Sequence, residues 1–218
     1  MVAATKDYRN ASGCPALADV KQKKDELEKR IFQEHPHQKI TYNAIRNKNG
    51  SYFTDFANIY NKKCAYCGAR LGHTDIQLFE VDHFICESSY SNDTSGRAEA
   101  GRASNLVFSC FSCNRGKGDL PIGARYQGLL NPDDGSIATV FIRDENYYIR
   151  IENTYSHDVF IQTFYKELML ESELRRLDYL LLEISDLISA KRTKNPELAV
   201  KLEQCMGILL QRKNATLI

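Results

Sequence analysis

Two Cys-x-x-Cys pairs, Cys64/Cys67 and Cys110/Cys113, constrain this chain more than any other feature. Matched pairs at loop-closing separation have the ligand spacing of a tetrahedral zinc site. One shared ion would bring both segments together whatever the chain between them does. Cys64-Ala-Tyr-Cys67-Gly68 reads as a knuckle, in which glycine lets the backbone fold over the metal. Four thiolates fill the shell, so the site is expected to be structural and to support the folding of a loop-rich module. A redox role is disfavoured, because no thioredoxin-like βαβ pattern surrounds either pair.

The 218 residues allow one large domain or a small module with helical additions. A net charge of +1 gives no global basic field, so any polyanion contact must come from a local patch or another subunit. Residues 1–20 are polar and broken by Asn10, Gly13 and Pro15, unlike a secretory leader, and no run of about 18 apolar residues predicts a membrane span. Seven cysteines without a leader fit a reducing, cytoplasmic setting with thiols as ligands, and Cys14, Cys86 and Cys205 read as packing residues.

Residues 17–35 carry Leu17, Val20, Leu27 and Ile31 at helical spacing, ended by His35-Pro36, and their balanced charges predict a solvated outer face. A second helix is expected over 51–61, with Phe53, Phe56, Ile59 and Tyr60 along one side. Ile76, Leu78 and Val81, then Leu106-Val107-Phe108, predict two short strands joined by a polar surface loop, followed by a helix opening near 111–115. Asp82-His83 ends the first strand. Adjacent strand side chains face opposite ways, so both reach one site only if the strand ends or bends there. Beyond 126, the β-branched and aromatic runs 137–142 and 147–151 predict a hairpin. Helices follow over 156–170, 172–191 and 196–212, the last started by Asn195-Pro196. The helix around 174–188 is apolar on two sides, which suits burial within the chain, self-association or a partner. The expected organisation is 1–50, a helical extension; 51–125, a core; and 126–218, a hairpin with helices.

Glu80-Val-Asp82-His83-Phe-Ile, then Asn105-Leu and Cys110-Phe-Ser-Cys113-Asn114-Arg-Gly-Lys117-Gly118, resembles the zinc-bearing HNH endonucleases of the ββα-metal type. Two positions depart from that pattern: Asn114 replaces the final His, and Cys86 stands where Pro is usual. The resemblance implies an α+β fold, a ββα-metal core with structural zinc on Cys64, Cys67, Cys110 and Cys113, and phosphodiester hydrolysis. It implies His83 as general base, Asp82 and Asn114 as ligands of Mg²⁺ or Mn²⁺, and Asn105 as a group that orients His83 by a hydrogen bond. Arg115 and Lys117 would reach neighbouring phosphates, or else remain solvated helix charges.

Between 97 and 125, Arg97, Arg102, Arg115, Lys117 and Arg125 face only Glu99 and Asp119, a small cationic surplus that predicts weak, salt-sensitive, sequence-independent binding of nucleic acid. DNA is expected ahead of RNA as that partner, although these charges do not distinguish the two. The flanks are broadly similar to HNH subunits of Septu-type and retron-associated anti-phage systems, which implies an ATPase partner. A stand-alone restriction-type nuclease and a non-catalytic zinc module that binds nucleic acid or protein are the alternatives.

Overall fold

The computed structural model describes residues 7–11, 16–70 and 78–216, so Cys14 and Ile76 lie outside the described residues. Helix α1 (Val20–Glu34) buries Val20, Lys24, Leu27 and Ile31, one stripe that packs on α3 (Ser51–Ile59). A short helix α2 (Thr41–Ile45), absent from the sequence expectation, also packs on α3. Strands β1 (Phe79–His83) and β2 (Leu106–Cys110) pair antiparallel, with Val81 opposite Phe108 and His83 opposite Leu106. Helix α5 (Phe111–Lys117) follows directly and completes the expected ββα unit.

The connection between β1 and β2 corrects the expectation of an irregular loop: it contains helix α4 (Thr94–Ala100). Asp93 caps it, accepting from the Gly96 amide at 2.7 Å. The helix buries only Gly96 and Ala100, so it has no large apolar side chains to show a period. A Cβ at Gly96 would sit 2.0 Å from the Ser91 carbonyl oxygen, which fixes glycine at that turn.

Two further helices, α6 (Ala124–Leu129) and α7 (Ile137–Val140), lead into the hairpin of β3 (Phe141–Arg143) and β4 (Ile149–Ile151). The strand expected over 137–142 is therefore helical in its first four residues. Winding puts Ile137 and Val140 on one fully buried face, a tertiary gain that overrides β-branched propensity. Helix α8 (Val159–Glu167) starts later than expected, at its Asp158 cap. Helices α9 (Glu173–Lys191) and α10 (Pro196–Thr216) form an antiparallel pair, and the Asn195 side chain accepts from the Leu198 amide at 3.1 Å. Among the described residues no helix is long and apolar enough to cross a membrane.

One hydrophobic core joins Ile31 of α1, Phe53 and Phe56 of α3, Phe108 of β2, Phe141 of β3 and Phe164 of α8. That core spans the expected divisions at 50 and 125. Helix α9 is buried on two sides within the chain: it pairs with α10, while Tyr179 and Leu182 pack on Ala11. The outer face expected of α1 hides one exception. Lys24 is buried, bonded to Asp133 at 2.5 Å, and Asp133 also accepts from the Tyr60 hydroxyl at 2.7 Å. Asp133→Ala leaves that ammonium buried without a counter-charge and is expected to cost about 3–5 kcal/mol, read by denaturant unfolding.

Candidate active site and metal centre

The first Cys pair sits on the knuckle after α3, where the Gly68 amide donates to the Cys64 carbonyl at 3.0 Å. Gly68 has φ +78°, and a Cβ there would meet the Arg9 carbonyl at 2.4 Å, because the segment 7–11 crosses the knuckle. Arg9 fastens that crossing, donating to the carbonyls of Ala65 and Pro132 at 2.8 Å each. Cys110 ends β2 and Cys113 lies in the first turn of α5. All four residues are buried, with their sulfurs within 4.8 Å of one another. A tetrahedron with bonds of about 2.3 Å has edges of ~3.8 Å. The Cys67–Cys110 sulfur separation is 3.8 Å, so the donor set fits one tetrahedral ion.

Beside this centre, Asp82, His83, Asn114, Arg115 and Lys117 line one cleft of about 320 Å³, together with Glu87 and Asp119. Strand β1 ends at His83, which lets Asp82 and His83 reach the same cleft despite their alternation. Asp82 is buried, accepts from the Tyr66 hydroxyl at 2.7 Å and pairs with Lys117 at 3.2 Å. Burial pushes its carboxyl up to about 6, against the opposing pull of Lys117 and Tyr66. Burial also lowers the His83 pKa, outweighing Glu87, so the imidazole is neutral at pH 7. The Tyr42 ring lies 4.4 Å from the His83 ring and restricts its movement.

Asn114 donates through Nδ2 to Glu80 Oε2 at 2.5 Å, and Arg115 pairs with Glu80 Oε1 at 3.0 Å. Holding the amide nitrogen on Glu80 turns the Asn114 oxygen the other way. Asn105 differs from the expectation. Its side chain accepts from the Ile85 amide at 2.9 Å and donates to the carbonyls of Ile85 and Ala100 at 3.0 and 2.8 Å. It therefore acts on the backbone after His83, not on the imidazole. Lys117 also departs from the picture of a surface cation: it is buried, bonded to Asp82 and to the His83 carbonyl at 2.9 Å. Arg115 stays exposed beside the Phe111 ring.

The small basic patch is largely paired: Arg102 with Glu99 at 3.6 Å, Arg115 with Glu80, Lys117 with Asp82, and Arg125 with Asp158 at 3.2 Å. Tyr42, Tyr66, Glu80 and Glu87 were not among the expected site residues. Glu80 shares a strand face with Asp82, two residues on, so period-two alternation exposes it. Tyr42 belongs to a helix with no strong local signal. Tyr66→Phe removes a hydrogen bond to a buried carboxylate and is expected to cost about 1.5–3 kcal/mol by chemical denaturation.

The family model for HNH endonuclease matches residues 64–120. That stretch contains both Cys pairs, both strands of the first sheet and α5, so these residues fit an HNH core within the α+β fold, which supports a nuclease-type function. No curated protein and no solved structure matches the chain.

Proposed function

We propose that the chain is a metal-dependent endonuclease that hydrolyses phosphodiester bonds of nucleic acid, DNA first among them. The observation that carries this reading is the single cleft in which a neutral, ring-packed His83 meets Asp82 and Asn114. His83 takes the proton of the attacking water as general base. The Tyr42 ring and the backbone bonds of Asn105 keep it in the productive rotamer. Asp82 and Asn114 offer hard oxygen donors that suit Mg²⁺ or Mn²⁺. An ion held by Asp82 and Asn114 would supply positive charge against the negative charge developing on the scissile phosphate and the leaving oxygen. Glu80 sets the Asn114 amide so that nitrogen is occupied and oxygen faces away from it. Lys117 adds positive charge beneath Asp82, and Arg115, exchanging Glu80 for a phosphate, contacts the strand beside the cut. Zn²⁺ is the ion proposed for the four-cysteine site, where four thiolates leave no position for substrate.

Cleavage is expected to leave 5′-phosphate and 3′-hydroxyl ends and to require added Mg²⁺ or Mn²⁺. End labelling with and without a chelator tests it. A product pattern insensitive to chelation would remove the reading.

Target choice is proposed to come from a partner. The pairing of the basic patch leaves few free cations for phosphates. Val200, Ile208 and Leu210 of α10 are exposed, which supports a protein contact on the C-terminal pair of helices. An ATPase subunit of an anti-phage complex is the partner implied by the likeness of the flanks. For the isolated chain, the slope of log affinity against log salt on duplex DNA is expected to be shallow, about −3 or weaker. A slope of about −6 measured with an inactive variant would show a phosphate-reading surface and sink the partner-delivery idea.

A further inference from the structure

Arg175 lies in the first turn of α9 and is 7% exposed. Its guanidinium donates to Cys110 Sγ at 3.5 Å, to Cys113 Sγ at 3.1 Å and to the Leu168 carbonyl at 3.3 Å. Among the described residues no carboxylate pairs with it: nearby Glu173 holds Arg176 and Arg212, and Asp178 holds Lys213. Arginine stays protonated in proteins, and a buried charge needs an opposite one. Neutral thiols do not supply it. Four thiolates around one divalent cation do, because the complex is net anionic. A second guanidinium, Arg143, shares a small cavity with Cys67 and Arg175 and lies 4.0 Å over the Tyr179 ring.

We infer that Arg175 is the outer-sphere partner of the metal–thiolate complex, donating N–H···S bonds to two ligands and pinning α9 to the metal centre. The inference rests on the metal proposed for the four cysteines. Its physical basis is the general one for residues just outside a metal's ligands: they orient the ligands, stabilise their charge, and typically change metal affinity by about 10–100-fold when removed. The planar guanidinium can point separate N–H groups at two sulfurs, whereas a lysine ammonium supplies charge without that fork. The arrangement also ties the pair of helices α9 and α10 to the nuclease core through the same ion.

The test uses the full chain as the parent, Arg175→Met and Arg175→Lys. Transfer of zinc to the chromophore 4-(2-pyridylazo)resorcinol is followed in each, and the Co²⁺-substituted proteins are compared by absorption. Arg175→Met is expected to release zinc at least about tenfold faster. Its thiolate-to-cobalt bands should move to longer wavelength, because loss of the N–H donors raises the sulfur lone pairs. Arg175→Lys should fall between the two. A merely structural role would change stability but leave the cobalt bands in place. Bands and release rates equal to the parent's in both variants overturn the inference. If Arg175→Met does not fold, Arg175→Lys decides alone: faster release with shifted bands supports it, and parental values overturn it. A parent that shows no thiolate-to-cobalt bands at all would instead remove the metal from the four cysteines.

Discussion

His83→Ala is expected to cleave nucleic acid at least ~10²-fold more slowly than the parent, with its zinc content unchanged; the loss should reach ~10⁴-fold if proton transfer limits the reaction. The expectation follows from two independent properties of the side chain. Burial holds the imidazole in its neutral form, the form that accepts a proton. Its position at the end of β1, against Tyr42 and inside the cleft that Asp82 and Asn114 line, places that acceptor beside the proposed cation ligands. The four-cysteine cluster lies on other residues, so removing the imidazole leaves the four sulfurs intact. A non-catalytic zinc module would have no activity to lose, and the paired measurement of zinc and cleavage separates the two readings.

Loss of the metal from the four cysteines is the second large effect. Cys110→Ser, or prolonged chelation of the parent, is expected to lower the unfolding midpoint sharply, by several kcal/mol in stability. An ion on the four cysteines would join the knuckle after α3 to the junction of β2 and α5, and thus close a long loop around β1 and α4. Its removal would also strand Arg175, a buried cation that has sulfur partners and, among the described residues, no carboxylate. Thermal unfolding with and without stoichiometric zinc reads this directly. A melting curve that ignores zinc would mean that the aromatic core alone holds the module.

The parts of the fold carried by strong local chemistry were legible in the sequence. The cysteine spacing anticipated the cluster of four sulfurs, and the β1–β2–α5 order followed from two short apolar runs and the junction at Cys110. Asn195 marked the start of α10 because a capping side chain acts within three residues of itself. Other parts were set by distant contacts. Helix α4 has small residues on its buried face, and α7 winds to bury Ile137 and Val140, so neither period nor propensity announces them. At the candidate cleft, the resemblance singled out Asp82, His83, Asn114, Arg115 and Lys117, which do line one cavity, but it did not give their partners. Lys117 reads as a basic helix residue until the fold buries it on Asp82, and Asn105 reads as a partner of His83 until its amide is found on the Ile85 backbone. Arg175 stands far from the cysteines along the chain and becomes part of their surroundings only when α9 docks.

One metal is proposed to close the fold while a different, exchangeable one serves the cleft. This division of roles is tested most directly by assaying plasmid cleavage with zinc-loaded protein freed of loosely bound divalent ions, with and without Mg²⁺, beside Asp82→Ala under identical conditions. No cleavage is expected without Mg²⁺, nicking and linearisation on its addition, and almost none by Asp82→Ala at full zinc occupancy. If the partner is needed for detectable turnover, the same contrast is predicted in the reconstituted complex. Cleavage that proceeds equally without added Mg²⁺, or that survives Asp82→Ala undiminished, would contradict it.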